Sequence, residues 1–126
     1  MSCDETKKVV GAAGEAQLTG TYVVKLLNNN QIENTITIGF NPIIKQINGD
    51  AGCNSYFGGY NVALFDLTFS GMGSTKKMCQ PDSVMETEQE YLSALSNVGS
   101  YRLVNRVLTL YAKSNNAIVI SAEKKE

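Results

Sequence analysis

At 126 residues and 43% apolar content, the chain has the size of one domain and can bury about two-thirds of the surface its unfolded form exposes. Eleven Lys and Arg against 12 Asp and Glu leave a net charge of -1, with no field to gather a polyanion, and the cations are scattered, so no nucleic-acid partner is expected. No run approaches the ~18 apolar residues of a membrane-crossing helix, and the absence of histidine removes the usual general base and the commonest transition-metal ligand.

Residues 1–18 are rich in charge, Ala and Gly and read as a tether; the GAAG of residues 11–14 lacks the pattern of a nucleotide fingerprint. The segment has no basic stretch followed by an apolar one, so no secretory signal is expected in it. Cys3 stands where a lipid-bearing cysteine would stand had a longer precursor been trimmed there. Strands are expected from Gly20 onward, across residues 19–122, with 123–126 a polar fringe. Thr21 to Leu27 is rich in β-branched and aromatic residues and stops at Asn28-Asn29-Asn30. Ile32, Asn34, Ile36 and Ile38 share the face of a second strand, which Gly39 to Pro42 ends.

Ile43 to Ile47 reads as the next strand, and Asn48-Gly49 is the strongest short-range hairpin signal, because both residues tolerate positive φ. The glycines of DAGCNSYFGGY, residues 50–60, permit the curvature of a barrel corner. Val62 to Phe69 follows as a strand with Phe65, Leu67 and Phe69 turned to the core. Pro81 to Asn97 is the one persuasive helix: Ser83 with Glu86 forms a capping box, Val84, Tyr91, Leu92 and Leu95 make an apolar stripe that Glu88 interrupts, and Gly99 supplies a stop. Tyr101 to Asn105, Val107 to Tyr111 and Ala117 to Ser121 return to strand, the Ser114-Asn115-Asn116 break separating the last two.

Chemistry has few places to reside. Cys53 and Cys79 either pair, closing a loop worth about 3 to 4 kcal/mol, or remain two buried reduced thiols. The three cysteines form no compact metal motif, and Asp50, Asn54, Asp66 and Asp82 miss a calcium-loop spacing, so no metal or other cofactor is expected. Asp50 and Asp66 would approach each other only if their strands paired suitably. Tyr56, Phe57 and Tyr60 supply three rings that pack in the core or anchor a partner, with Lys76 and Lys77 at the rim of such a surface.

In order, these segments resemble the META-domain family. GTYVVKLL matches its opening strand, AGCNSYFGGY its GCN-x-x-x-G-x-Y signature, GSTKKMC its second motif, and EQEYLSALSNVGSYRLVNRVLTLY its helix and following strands. Position by position, Gly52, Cys53, Asn54, Gly58 and Tyr60 fall on the first motif, and Thr75, Met78 and Cys79 on the second. The chain departs at Tyr22, where the family commonly has tryptophan, and at Lys76-Lys77, where smaller or apolar residues are frequent. The resemblance implies a mainly β domain, bordering on α+β: an antiparallel, partly closed β-barrel-like sheet with one principal amphipathic helix, of a kind often exported or lipid-anchored in bacteria. It brings no shared reaction and no catalytic residue. The expectation is a monomeric, non-enzymatic envelope-associated interaction or stability module, in the periplasm or at the outer surface, tethered through Cys3 and meeting an envelope protein or peptide. The alternatives are a small-ligand carrier using the barrel mouth near Tyr56, Phe57 and Tyr60, and an enzyme.

Overall fold

Alternation of apolar and polar side chains turns one face of each strand inward, and eight such strands curl until the first meets the last. The computed structural model describes residues 18–125. In chain order the elements are β1 (Gly20–Leu27), the two-residue β2 (Asn30–Gln31), β3 (Thr37–Asn41), β4 (Gln46–Asp50), β5 (Ser55–Ala63), β6 (Asp66–Ser74), α1 (Asp82–Ser96), β7 (Val98–Val104), β8 (Val107–Ala112) and β9 (Ile118–Lys124). All described pairings are antiparallel, in the order β2-β1-β3-β4-β5-β6-β7-β8-β9, and β1 also pairs with β9 from Tyr22↔Lys124 to Leu27↔Ile120. The barrel is therefore closed, and no edge is left between first and last strand. Its thinnest seam is β6–β7, bridged at Asp66↔Ser100.

An antiparallel barrel has two distinct ends. At one lie the β3–β4, β5–β6 and β7–β8 turns and the start of β1; at the other lie the 51–54 turn, the β8–β9 turn and α1. The first end is filled by Tyr22, Phe40, Tyr60 and Phe69, with Phe40 edge-on to Tyr22 at 5.8 Å and to Tyr60 at 5.2 Å between ring centroids. At the second, α1 packs Tyr91, Ala94 and Leu95 inward, Tyr91 meeting Tyr56 edge-on at 5.4 Å. Leu18 is buried and β9 runs to Lys124, so strand structure enters the expected polar fringe. Residues 1–17, with Cys3, lie outside the described residues.

Several local expectations are corrected. Asn48 and Gly49 do not turn; they lie within β4, paired to Gly39 of β3 and to Phe57 and Tyr56 of β5. A Cβ on Gly49 would lie 2.2 Å from the Thr37 carbonyl oxygen, so this glycine permits a close backbone approach. The turn falls earlier, at Pro42 to Lys45, and leaves Ile43 and Ile44 exposed. Val62 to Phe69 is not one strand either: the chain reverses at Leu64-Phe65, leaving Phe65 exposed while Leu67 and Phe69 stay buried. The start of α1 has Pro81 at the N-cap and no side-chain cap, so the Ser83–Glu86 box does not form, and Gly99 belongs to β7 instead of ending the helix.

Candidate functional site

The motif residues gather where the 51–54 turn meets the approach to α1. Gly52 has φ of 115°, in the left-handed region, and a Cβ there would lie 2.8 Å from Asn34 Nδ2. Asn34 Nδ2 itself donates to the Val84 carbonyl of α1 at 3.2 Å. Asn54, 2% exposed, is the hub. Its backbone N–H donates to Glu88 Oε1 at 2.8 Å, and its Nδ2 donates to Glu88 Oε2 at 2.7 Å and to the Lys77 carbonyl at 3.1 Å. Its Oδ1 accepts from Thr75 Oγ1 at 2.8 Å and from the Lys77 N–H at 2.6 Å. An amide suits this position because it donates and accepts at once, whereas an aspartate would offer Glu88 a second negative charge.

Glu88 is the partner that sequence reasoning missed. Its carboxylate also accepts the Cys53 N–H at 3.1 Å, so three N–H groups of one turn converge on a side chain 2% exposed. A buried carboxylate needs such partners. The available signal was its place on the stripe between Val84 and Tyr91: an acid on the buried face of a helix must be answered by donors elsewhere. Beside it, Cys53 and Cys79 form a disulfide with Cα atoms 5.9 Å apart, which decides between the two sequence alternatives. Thr75 Oγ1 accepts the Ser55 N–H at 3.2 Å, and the Thr75 N–H donates to the Ser55 carbonyl at 3.0 Å. The turn, the 75–79 segment and α1 are thus held as one clasp.

The remaining motif residues serve packing. Gly58 is buried where β5 passes a bulge in β6, and a Cβ there would meet Met72 Sδ at 2.3 Å. Tyr60 is buried against Phe40; its hydroxyl is the one buried side-chain polar atom without a partner among the described residues. Of the two places open to Tyr56, core or partner surface, it takes the core: it is buried, its hydroxyl donating to the Thr37 carbonyl at 2.7 Å and receiving that of Tyr91 at 2.5 Å, so it is not part of a binding surface. Burial, then the neighbouring Tyr91, pushes the Tyr56 hydroxyl well above the usual phenol range, so the pair stays neutral and does no acid–base work near pH 7. Phe57, Lys76, Lys77 and Met78 are exposed on the outer side of the clasp segments. The Phe57 ring lies over Gly73 of β6, where a Cβ would meet it at 2.7 Å.

Asp50 and Asp66 lie opposite the two ends of β5, Asp50 across from Ser55 and Asp66 across from Ala63, so they form no carboxylate pair. No three Cys, Asp or Glu side chains among the described residues gather as a metal site. An open recess of about 430 Å³ is lined by Phe65, Ser100, Tyr101, Arg102, Tyr111 and Asn116, away from the Tyr56, Phe57 and Tyr60 cluster. No helix among the described residues is long and apolar enough to cross a membrane.

A family model described as META domain matches residues 6–125. Among solved structures, an NMR structure of a protein from Burkholderia xenovorans is similar at 20% identity and a TM-score of 0.71, covering 91% of this chain and 88% of that one. A second NMR structure matches at 22% identity and a TM-score of 0.69, covering 87% and 93%. A crystal structure of a DUF4847 family protein from Bacteroides vulgatus matches at 16% identity and a TM-score of 0.58, covering 86% and 96%. These likenesses show the fold. No curated protein matches the chain.

Proposed function

The chain belongs to the META-domain family, and on that footing we propose that it is a non-enzymatic interaction module of the bacterial envelope, presenting a rigid barrel surface to another envelope protein or peptide. The observation that carries this reading is the use the fold makes of its motifs: Cys53, Asn54, Thr75 and Cys79 are consumed in the clasp with Glu88, so none of these motif side chains is left free as a nucleophile. What the clasp holds outward is Phe57, Met78, Lys76 and Lys77, two apolar side chains with two cations, the composition of a small anchor with a polar rim. The disulfide supports an oxidising compartment, the periplasm or the outer surface. The motif order resembles that of the family which includes the heat-inducible bacterial protein HslJ; a lipid tether at Cys3 and a monomeric state complete the reading.

The test is capture of partners from envelope extracts by the full chain and by Phe57→Ser, Met78→Ser and Lys77→Ala variants. A specific partner held by the parent and lost from these folded variants supports the surface; a partner held equally by all of them, or none at all, overturns it.

A further inference from the structure

We propose that the end of the barrel opposite α1 is a lipid-docking face, which sets its three hairpin tips on a bilayer surface rich in anionic phospholipid. The proposal concerns a surface separate from the Phe57 and Met78 side and goes beyond the reading above.

Hairpin tips are ordinarily built from Gly, Asn, Asp and Ser, and at the α1 end of this barrel they are: Asn28-Asn29 turns β1 into β2, and Ser114-Asn115-Asn116 turns β8 into β9. At the other end two of the three tips carry Ile43-Ile44 and Leu64-Phe65, while the third is the polar Asn105-Arg106 turn, with Val104 exposed beside it. Ile43 is 90% exposed, Leu64 is 68% exposed, and Ile44, Phe65 and Val104 stand more than half in solvent. Leu64 adopts φ of 59°, a left-handed conformation in which a leucine is strained and an asparagine is not. Turn formation does not explain a leucine there; a use for its side chain does.

Charge separates along the same axis. The turn end carries Lys45, Arg102, Arg106, Lys124 and Lys125 against Asp66 and Glu123, with Lys45 and Arg106 engaged in further contacts. The α1 end carries Glu33, Asp50, Asp82, Glu86 and Glu90 beside the buried Glu88, against Lys25, Lys76, Lys77 and Lys113. Apolar side chains projecting from separate tips, with cations around them, match a headgroup layer, which accepts each tip independently and draws in the basic charge. The chain also enters the barrel here, at Gly20, so the segment bearing Cys3 joins the domain at the end proposed to face lipid.

The experiment is co-sedimentation of the full chain with vesicles of phosphatidylcholine alone or mixed with phosphatidylglycerol. The proteins are the parent, an Ile43→Ser/Leu64→Asn double variant and Phe57→Ser, with a melting curve for each. The parent is expected to bind the mixed vesicles at least tenfold more tightly than the double variant, which melts no lower; Phe57→Ser binds like the parent, and pure phosphatidylcholine retains less of every protein. The proposal is overturned by no binding to mixed vesicles, by equal binding of the double variant, by loss of binding in Phe57→Ser, or by a protein partner from envelope extracts that the double variant alone releases. Failure with vesicles leaves the partner capture at Phe57 and Met78 standing, so the two readings fail separately.

Discussion

At the scale of single residues, Glu88 carries the most consequence. Truncating it to alanine strands the N–H groups of Cys53 and Asn54 and the Asn54 amide without their acceptor in a buried place. Glu88→Ala is therefore expected to lower unfolding free energy by about 3 to 5 kcal/mol. Glu88→Gln keeps one acceptor oxygen but turns an NH2 toward donors and should cost about 1 to 3 kcal/mol. Urea titrations of the three proteins check the order; a Gln variant as damaged as the Ala variant would mean that shape and one acceptor rescue nothing and that both carboxylate oxygens are required. Leu64 shows the opposite sign. Replacing it with asparagine relieves a left-handed leucine and is expected to add about 1 kcal/mol of stability, read as a higher denaturation midpoint.

At the scale of elements, the strands with alternating composition and polar breaks were legible in the chain. β1 ends at Asn28-Asn29, whose φ values of 52° and 68° are those asparagine tolerates, and the helix expected over 81–97 forms over Asp82–Ser96. Two turns were not legible, for opposite reasons. Asn48-Gly49 has the composition of a hairpin but sits in β4, because a glycine required by close backbone approach and one required by positive φ are the same letter. Leu64-Phe65 turns without any turn residue, so it reads as strand. Gly49→Ala tests the close approach, since Gly49 has no positive φ to lose. Since its Cβ would press on the Thr37 carbonyl, the substitution should cost about 1 to 3 kcal/mol, where a turn glycine with ordinary φ would tolerate it. The clasp was half legible: likeness to a family marked Asn54, Cys53, Thr75 and Cys79, while Glu88 read only as a break in the helical stripe. Sequence periodicity reports which face a residue occupies, and the donors waiting opposite come from a turn 34 residues away.

At the scale of the whole molecule, two closures hold the barrel end, one covalent and one hydrogen-bonded. The disulfide spans a separation of 26 residues, and reducing it should remove about 3.5 kcal/mol of stability while the Asn54–Glu88 network keeps the barrel folded. Denaturation with and without reductant measures this. The buried tyrosines set the alkaline limit. Burial raises Tyr22 to about 12 from an ordinary 10.0, with Arg106 pulling it back and Tyr101 pushing it on, and burial holds Tyr91 higher still. The unfolded chain releases these protons near pH 10 and the folded one keeps them, so the contribution of these tyrosines to stability is constant below that pH. Above it, stability falls by about 1.4 kcal/mol per pH unit for each such tyrosine until its folded value is reached. Phenolate absorbance should therefore rise for these residues together with unfolding.

The motif residues of this chain lock the 51–54 turn onto α1 through Glu88, and a double-mutant cycle at Asn54 and Glu88 reads that lock most directly. Unfolding free energies of the parent, Asn54→Ala, Glu88→Ala and the double variant should give a coupling of about 2 kcal/mol. Losses that simply add would contradict the clasp.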